Sequence, residues 1–182
     1  MHKSKGFVSA VAFVMTLAMA ACASTRTQKS AGESVDDSVT TGRVKAALIA
    51  DPTTKAHQID VETFKGTVQL NGFVDTAASK SRASEIAKGT KGVTAVRNNL
   101  TVQNDPRSGG TVVDDAAITT KVKAALAGDS RTKAHQVNVE TRDGVVQLSG
   151  FVDNSEAKST AEELARSVDN VKSVDNEIDV KK

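Results

Sequence analysis

The 182-residue chain has no tryptophan, no tyrosine, two prolines and a single cysteine. One cysteine excludes an internal disulfide, so burial and hydrogen bonding must hold the fold without a covalent staple. Five phenylalanines are the whole aromatic content, and two of them, Phe7 and Phe13, sit at the extreme N-terminus. That leaves no platform on which single-stranded nucleic acid can stack. Charge of one sign is also lacking: 24 Lys and Arg face 22 Asp and Glu. A nucleic-acid partner, which needs a basic footprint, is therefore not expected. Histidine is equally scarce. His57 and His135 stand apart with no Cys or second His nearby, and one imidazole is not a zinc ligand set. No G-x-S-x-G, phosphate-loop or Cys–His pattern occurs. The expectation is no catalytic residue, no metal, no cofactor and no enzymatic activity.

What the chain does have is a repeat. Residues 35–103 align with 113–181 at a constant offset of 78 residues without a gap, and 35 of the 69 pairs are identical. KAHQIDVET (Lys55–Thr63) returns as KAHQVNVET (Lys133–Thr141), and VQLNGFVD (Val68–Asp75) as VQLSGFVD (Val146–Asp153). A period this long is a small domain in duplicate, not a solenoid turn. The copies differ in charge: the first carries 9 basic and 7 acidic residues, the second 9 and 13.

Each copy reads as five elements. The spacing of Ile118, Val122, Ala125 and Leu126 predicts a helix over 114–128, matched by 36–50, with the paired carboxylates Asp36/Asp37 and Asp114/Asp115 capping its start. Alternating Ile59, Val61 and Thr63, then Val68, Leu70 and Gly72, predict two strands. Lys65-Gly66 and Asp143-Gly144 between them predict a tight hairpin. A second helix follows over 76–91 and 154–169, with Asp153 and Glu156 spaced for a capping box. Its buried stripe is Ala161, Leu164, Ala165 and Val168, matched by Ala83, Ile86 and Ala87. A last strand carries Val96, Leu100 and Val102, or Val174, Ile178 and Val180. The predicted fold class is α+β: two tandem α-β-β-α-β domains, each a three-stranded sheet with two helices on one face. A 69-residue domain buries only about 60% of its unfolded surface, so the two are expected to lie close and share an interface. Gly72 and Gly150, single glycines within strands, mark a close backbone approach or a bulge.

The front end is different in kind. Lys3 and Lys5 precede an uncharged, mostly apolar run from Phe7 to Ala21. Its fifteen residues fall short of the roughly 20 that span a bilayer, and suit an export signal. The run ends in Leu17-Ala-Met-Ala-Ala-Cys22, which resembles the lipobox of bacterial lipoproteins, with Met19 where that pattern prefers Leu. The resemblance implies acylation of Cys22 as the new N-terminus, and Ala23 rather than Asp after it implies outer-membrane sorting. The alternative is a plain secretory signal that leaves a soluble periplasmic protein. The resulting plan is a signal at 1–21, a disordered lipidated tether at 22–34, a first domain at 35–103, a linker at 104–112 and a second domain at 113–181. Without Lys3 and Lys5 the mature chain is near neutral.

The α-β-β-α-β order resembles the BON domain family. So do the V-x-L-x-G-x-V strands (Val68, Leu70, Gly72, Val74; Val146, Leu148, Gly150, Val152) and the approach to the last strand (Gly92–Val96, Asn170–Val174). VETRDGVVQLSGFVDNSEAKSTAEELARSVDNVKSVDNEI is similar to the osmotically inducible, periplasmic members, and the lipobox to the dual-BON outer-membrane lipoproteins. The resemblance implies a binding module that supports envelope integrity under osmotic stress by contact with phospholipid, through the first helix of the second domain. In this chain that segment offers Ile118, Thr119, Lys121 and Lys123. An interfacial aromatic is missing there, Ala117 standing near its place, and the domain's surplus of acids opposes an anionic surface. The competing expectation puts Ile118 and Val122 in the core and leaves the lysines as a solvated face. Two other classes remain open: a chaperone-like or scaffold protein binding envelope proteins through a sheet edge, and a small-ligand binder using a cleft between the domains.

Overall fold

The computed structural model describes residues 31–54, 59–103 and 108–182. The signal segment, Cys22 and His57 lie outside the described residues. In the first domain α1 (Ala31–Ala50) is followed by β1 (Ile59–Phe64), β2 (Thr67–Val74), α2 (Ala77–Gly89) and a last strand in two pieces, β3 (Ala95–Asn98) and β4 (Thr101–Val102). The second domain repeats this with α3 (Gly109–Gly128), a 3₁₀ turn (Ala134–Gln136), β5 (Val137–Arg142), β6 (Val145–Val152), α4 (Ser155–Arg166) and an unbroken β7 (Ser173–Val180). The α+β class and the twofold repeat are as the sequence predicts.

In each sheet the second strand is central. β2 pairs antiparallel with β1 and parallel with β3 and β4, and β6 pairs likewise with β5 and β7. The hairpin turns have φ of 49° at Lys65 and 74° at Gly66, and 52° at Asp143 and 78° at Gly144. Positive φ at both loop positions matches the twist of the flanking strands, which is why Gly follows Lys or Asp here. Val44, Leu48, Val61, Val68, Leu70, Ala83, Ala87 and Leu100 form the first core. Ile118, Val122, Leu126, Val139, Val146, Leu148, Ala161 and Ile178 stand among the second.

Four expectations need correction at the level of local structure. The first helices begin at Ala31 and Gly109, so residues 31–34 are helical rather than tether, and 109–112 helical rather than linker. Their starts are therefore not at the paired carboxylates, since α3 is capped by Ser108, whose hydroxyl accepts from Thr111 N. Asp37 and Asp115 instead lie buried inside the helices and reach across to the hairpins. The carboxylate of Asp37 accepts from Lys65 N at 2.7 Å and Gly66 N at 2.9 Å; that of Asp115 accepts from Asp143 N and Gly144 N, both at 2.9 Å. Turn amides that no strand can satisfy are thus paid off by a charge from the neighbouring helix. The fourth correction is the capping box. The cap of α4 is Asn154, accepting from Ala157 N at 2.8 Å, while Asp153 is bound by Lys133 and Lys181.

β2 is buried along almost its whole length, on both faces. Val68, Leu70 and Val74 face the helices. Gln69 and Asn71, each 0% exposed, and Phe73 face the other way, toward the second domain, while Gln147 and Ser149 of β6 face back toward the first. The two sheets therefore stack back to back, with helices outermost on both sides.

Candidate functional site

The seam between the sheets is built from one motif used twice. The Gln69 carboxamide accepts from Gly150 N at 3.1 Å and donates to Glu177 O at 3.4 Å and, more closely, to the Asp179 carboxylate at 2.6 Å. Its counterpart Gln147 accepts from Gly72 N and donates to Asn99 O at 2.8 Å. Each position is matched by its partner 78 residues on, so the interface is isologous, a pseudo-twofold within one chain. Gly72 and Gly150 have φ of 111° and 121°, and a Cβ on Gly150 would overlap the carbonyl oxygen of Gln136. The close backbone approach expected of Gly150 is confirmed, and these glycines also present their N–H groups to the opposite glutamine.

The ends of the seam break the symmetry. At one end Phe64 stacks on Phe151 with ring centroids 5.3 Å apart and planes at 27°. The ammonium groups of Lys65 and Lys181 lie 5.4 and 5.9 Å from the Phe64 ring centre. At the other end the matching residue is Arg142, 3% exposed, with its guanidinium 3.7 Å from Asp75 and 4.0 Å from Asp143.

Two open clefts flank the Phe64–Phe151 pair. One, of about 550 Å³, is lined by Glu62, Lys133, His135, Asn138 and Asp153. The other, of about 530 Å³, is lined by Lys65, Thr67, Arg97, Asp179 and Lys182. Their charges are largely spent on one another. Lys133 and Lys181 hold Asp153 at 2.6 and 2.7 Å and keep its carboxyl well below the usual range. Arg97 reaches across the seam to Asp179 at 2.9 Å, and Asn138 donates to Glu62 at 3.0 Å. His135 is exposed on the 3₁₀ turn. Among the described residues no group of three or more His, Cys, Asp or Glu is placed to hold a metal ion. Among the described residues the arrangement is suited to locking two domains together.

The residues singled out on α3 divide sharply. Ile118 is 4% exposed and belongs to the core with Val122, so insertion of Ile118 between headgroups would require unpacking the helix. Thr119 is half-buried and donates to Thr141 Oγ1 at 2.8 Å, as Thr41 does to Thr63 at 2.7 Å. Lys121 and Lys123 are exposed. Only the lysines of that set face outward. The residues that sequence reasoning missed are Gln69 and Gln147; as polar members of alternating strands they read as a solvated face. The signal that was available was their identity in both copies, three positions before an identical glycine.

A profile of the BON domain matches residues 36–104 and again 114–182. The chain belongs to the BON domain family. Its two BON domains are 42% identical, over 82% of this chain and 75% of the relative, to osmotically-inducible protein Y of Escherichia coli. They are 34% identical, over 80% and 75%, to the outer membrane lipoprotein DolP of Haemophilus influenzae. The 21 kDa hemolysin of Actinobacillus pleuropneumoniae matches at 35% over the same shares of the two chains. No helix among the described residues is long and apolar enough to cross a membrane.

Proposed function

We propose that this chain is a non-catalytic binding module of the bacterial envelope, tethered to the periplasmic face of the outer membrane through acylated Cys22, and that it supports the envelope under osmotic stress by contact with phospholipid surfaces. The observation that carries the reading is the order of parts: a lipobox-like segment ending at Cys22, then two BON domains like those of an outer membrane lipoprotein. The relative named for osmotic induction supports the stress role. Stable anchoring takes more than one acyl chain, each buried CH₂ contributing about 0.8 kcal/mol. A triacylated cysteine meets that need without help from the folded part. On α3, Lys121 and Lys123 are left to meet lipid phosphates by charge alone, at about 1 kcal/mol each, which is weak against the acidic surplus of that domain.

Membrane fractionation of the full-length protein tests the anchor. Wild type is expected in the outer-membrane fraction and Cys22→Ser in the soluble periplasmic fraction. Unchanged fractionation of the variant would sink the lipoprotein reading. If the soluble form then ignores vesicles but is retained by envelope proteins, the scaffold reading takes its place.

A further inference from the structure

Helix α1 is apolar on the side away from its core. Thr40, Val44 and Leu48 face inward and are at most 3% exposed. Val35, Val39, Gly42, Ala46 and Ile49 run along the opposite side at alternating spacings of four and three residues. All five are exposed, Val35 at 62%, Val39 at 44% and Ile49 at 74%. Nothing lies within 4 Å of where a Cβ on Gly42 would stand. The stripe covers roughly 21 Å of helix at 1.5 Å per residue.

The duplication supplies an internal control. The equivalent positions on α3 are Val113, Ala117, Thr120, Ala124 and Ala127. They are also exposed, but Val39 and Ile49 are there Ala117 and Ala127, a polar Thr120 stands in place of Gly42, and exposed valines remain only at the start of α3, at Val112 and Val113. The fold therefore does not require the stripe, and the copy that has it is the one next to Cys22.

We infer that this outer face of α1 is the surface by which the folded part lies on an anionic phospholipid bilayer, an inference that rests on the envelope-lipoprotein reading above and assigns its lipid contact to the first domain instead of the second. Ala31 follows Cys22 by nine positions, a reach of at most about 32 Å. A lipid on Cys22 thus keeps the start of α1 close to the bilayer. Charge agrees: from the start of α1 the first domain carries 9 basic and 8 acidic residues, against 9 and 13 over 113–181, and Arg43 and Lys45 flank the middle of the stripe, with the exposed Asp36 beside its first turns. An apolar stripe bordered by cations is the pattern of a helix lying in the membrane interface. The four–three spacing also fits a seam with a second copy. An antiparallel pair centred on Gly42, however, would set Arg43 against its own counterpart, between domains that share a positive charge.

The chain contains no tryptophan, so one introduced by substitution reports alone. Val39→Trp and Ile49→Trp on α1, with Ala117→Trp and Ala127→Trp as controls on α3, would be placed in the acylated full protein and in its Cys22→Ser form. Each would be mixed with vesicles of phosphatidylethanolamine and phosphatidylglycerol carrying acyl-chain bromines. The expected result is blue-shifted, quenched emission at positions 39 and 49 and none at 117 and 127, in both forms, the Cys22→Ser form needing more lipid. Val35→Asp/Val39→Asp/Ile49→Asp, all on the exposed face, should retain its circular dichroism and lower vesicle partitioning of the Cys22→Ser form at least ~10-fold, equivalent to about 1.4 kcal/mol. Quenching at 117 and 127 instead would overturn the assignment and return the contact to α3. No quenching at any position while the acylated protein still floats with vesicles would overturn it and leave the anchor standing. A concentration-dependent dimer abolished by the triple substitution, without quenching, would overturn it in favour of a second copy. Failure of the acylated protein to float would refute the anchor itself.

Discussion

Asp37 and Asp115 tie the same hairpin to the same helix, and Gln69 and Gln147 make the same pair of bonds across the seam. Thr54 and Thr132 close the end of the first helix identically, each hydroxyl donating at 2.6 Å to the carbonyl of Leu48 or Leu126. Elsewhere the domains part company. Phe64 is matched by Arg142, Val39 by Ala117 and Ile49 by Ala127. The pairs that make these bonds keep their identity, and they are buried polar groups that satisfy backbone atoms. The three divergent pairs lie at an end of the seam and on the outer face of the first helix. In a duplicated chain the shared bonds report what holds the fold, and the unshared surfaces report where each copy meets its own surroundings.

That comparison can be broken most directly at the hairpins. Asp37→Ala and Asp115→Ala each strip a charged acceptor from two turn amides, bonds worth about 1.5–3 kcal/mol apiece when an ion is involved. Each variant is expected to lose about 3 kcal/mol in urea denaturation, and the two losses should agree. A loss near 1 kcal/mol, the value of a helix cap, would restore the capping role and reject the hairpin role.

Gln69→Ala and Gln147→Ala come next. Each leaves one buried N–H and one C=O without its partner, at a cost of roughly 2 kcal/mol or more. The seam is shared, so the double substitution should cost less than the sum of the singles, as coupled sites do. Strict additivity would mean that the domains stabilise themselves independently.

The smallest effect sharpens the asymmetry between the seam's ends. Hydrogen bonds from Lys133 and then Lys181 hold the Asp153 carboxyl below its ordinary value of 3.8. A depressed carboxylate stabilises the fold fully above that ordinary value, and the contribution is lost as pH falls through the lower value of the folded state. The group is about a third exposed, so the effect is held to about 1 kcal/mol or less by solvent screening. Asp153→Asn should therefore flatten the stability curve below about pH 4 and lose little at acid extremes. An acid limb identical to that of wild type, followed by thermal melting, would show that the ion pairs contribute nothing.

The repeat, the helices, the hairpins with Gly at the second loop position and the Ile118–Val122–Leu126 stripe were all legible in the residues, because alternation and helical period are local properties of the chain. So was the absence of an aromatic anchor on α3. Less was legible at polar positions. Asp115 looked like a helix cap because carboxylates favour helix starts; its bonds run to Asp143 and Gly144, 28 and 29 residues on, which no local pattern encodes. The split between Asn154 and Asp153 turned on a one-residue shift in where α4 begins.

Composition and period thus decided the α+β class, the duplication and the lipobox-like front, since each is written in neighbouring residues. Tertiary structure alone decided that the sheets stack back to back through Gln69 and Gln147, and that Ile118 faces inward while Val39 and Ile49 face out. An apolar residue on a helix, or a glutamine on a strand, is compatible with either side until a second layer covers one of them.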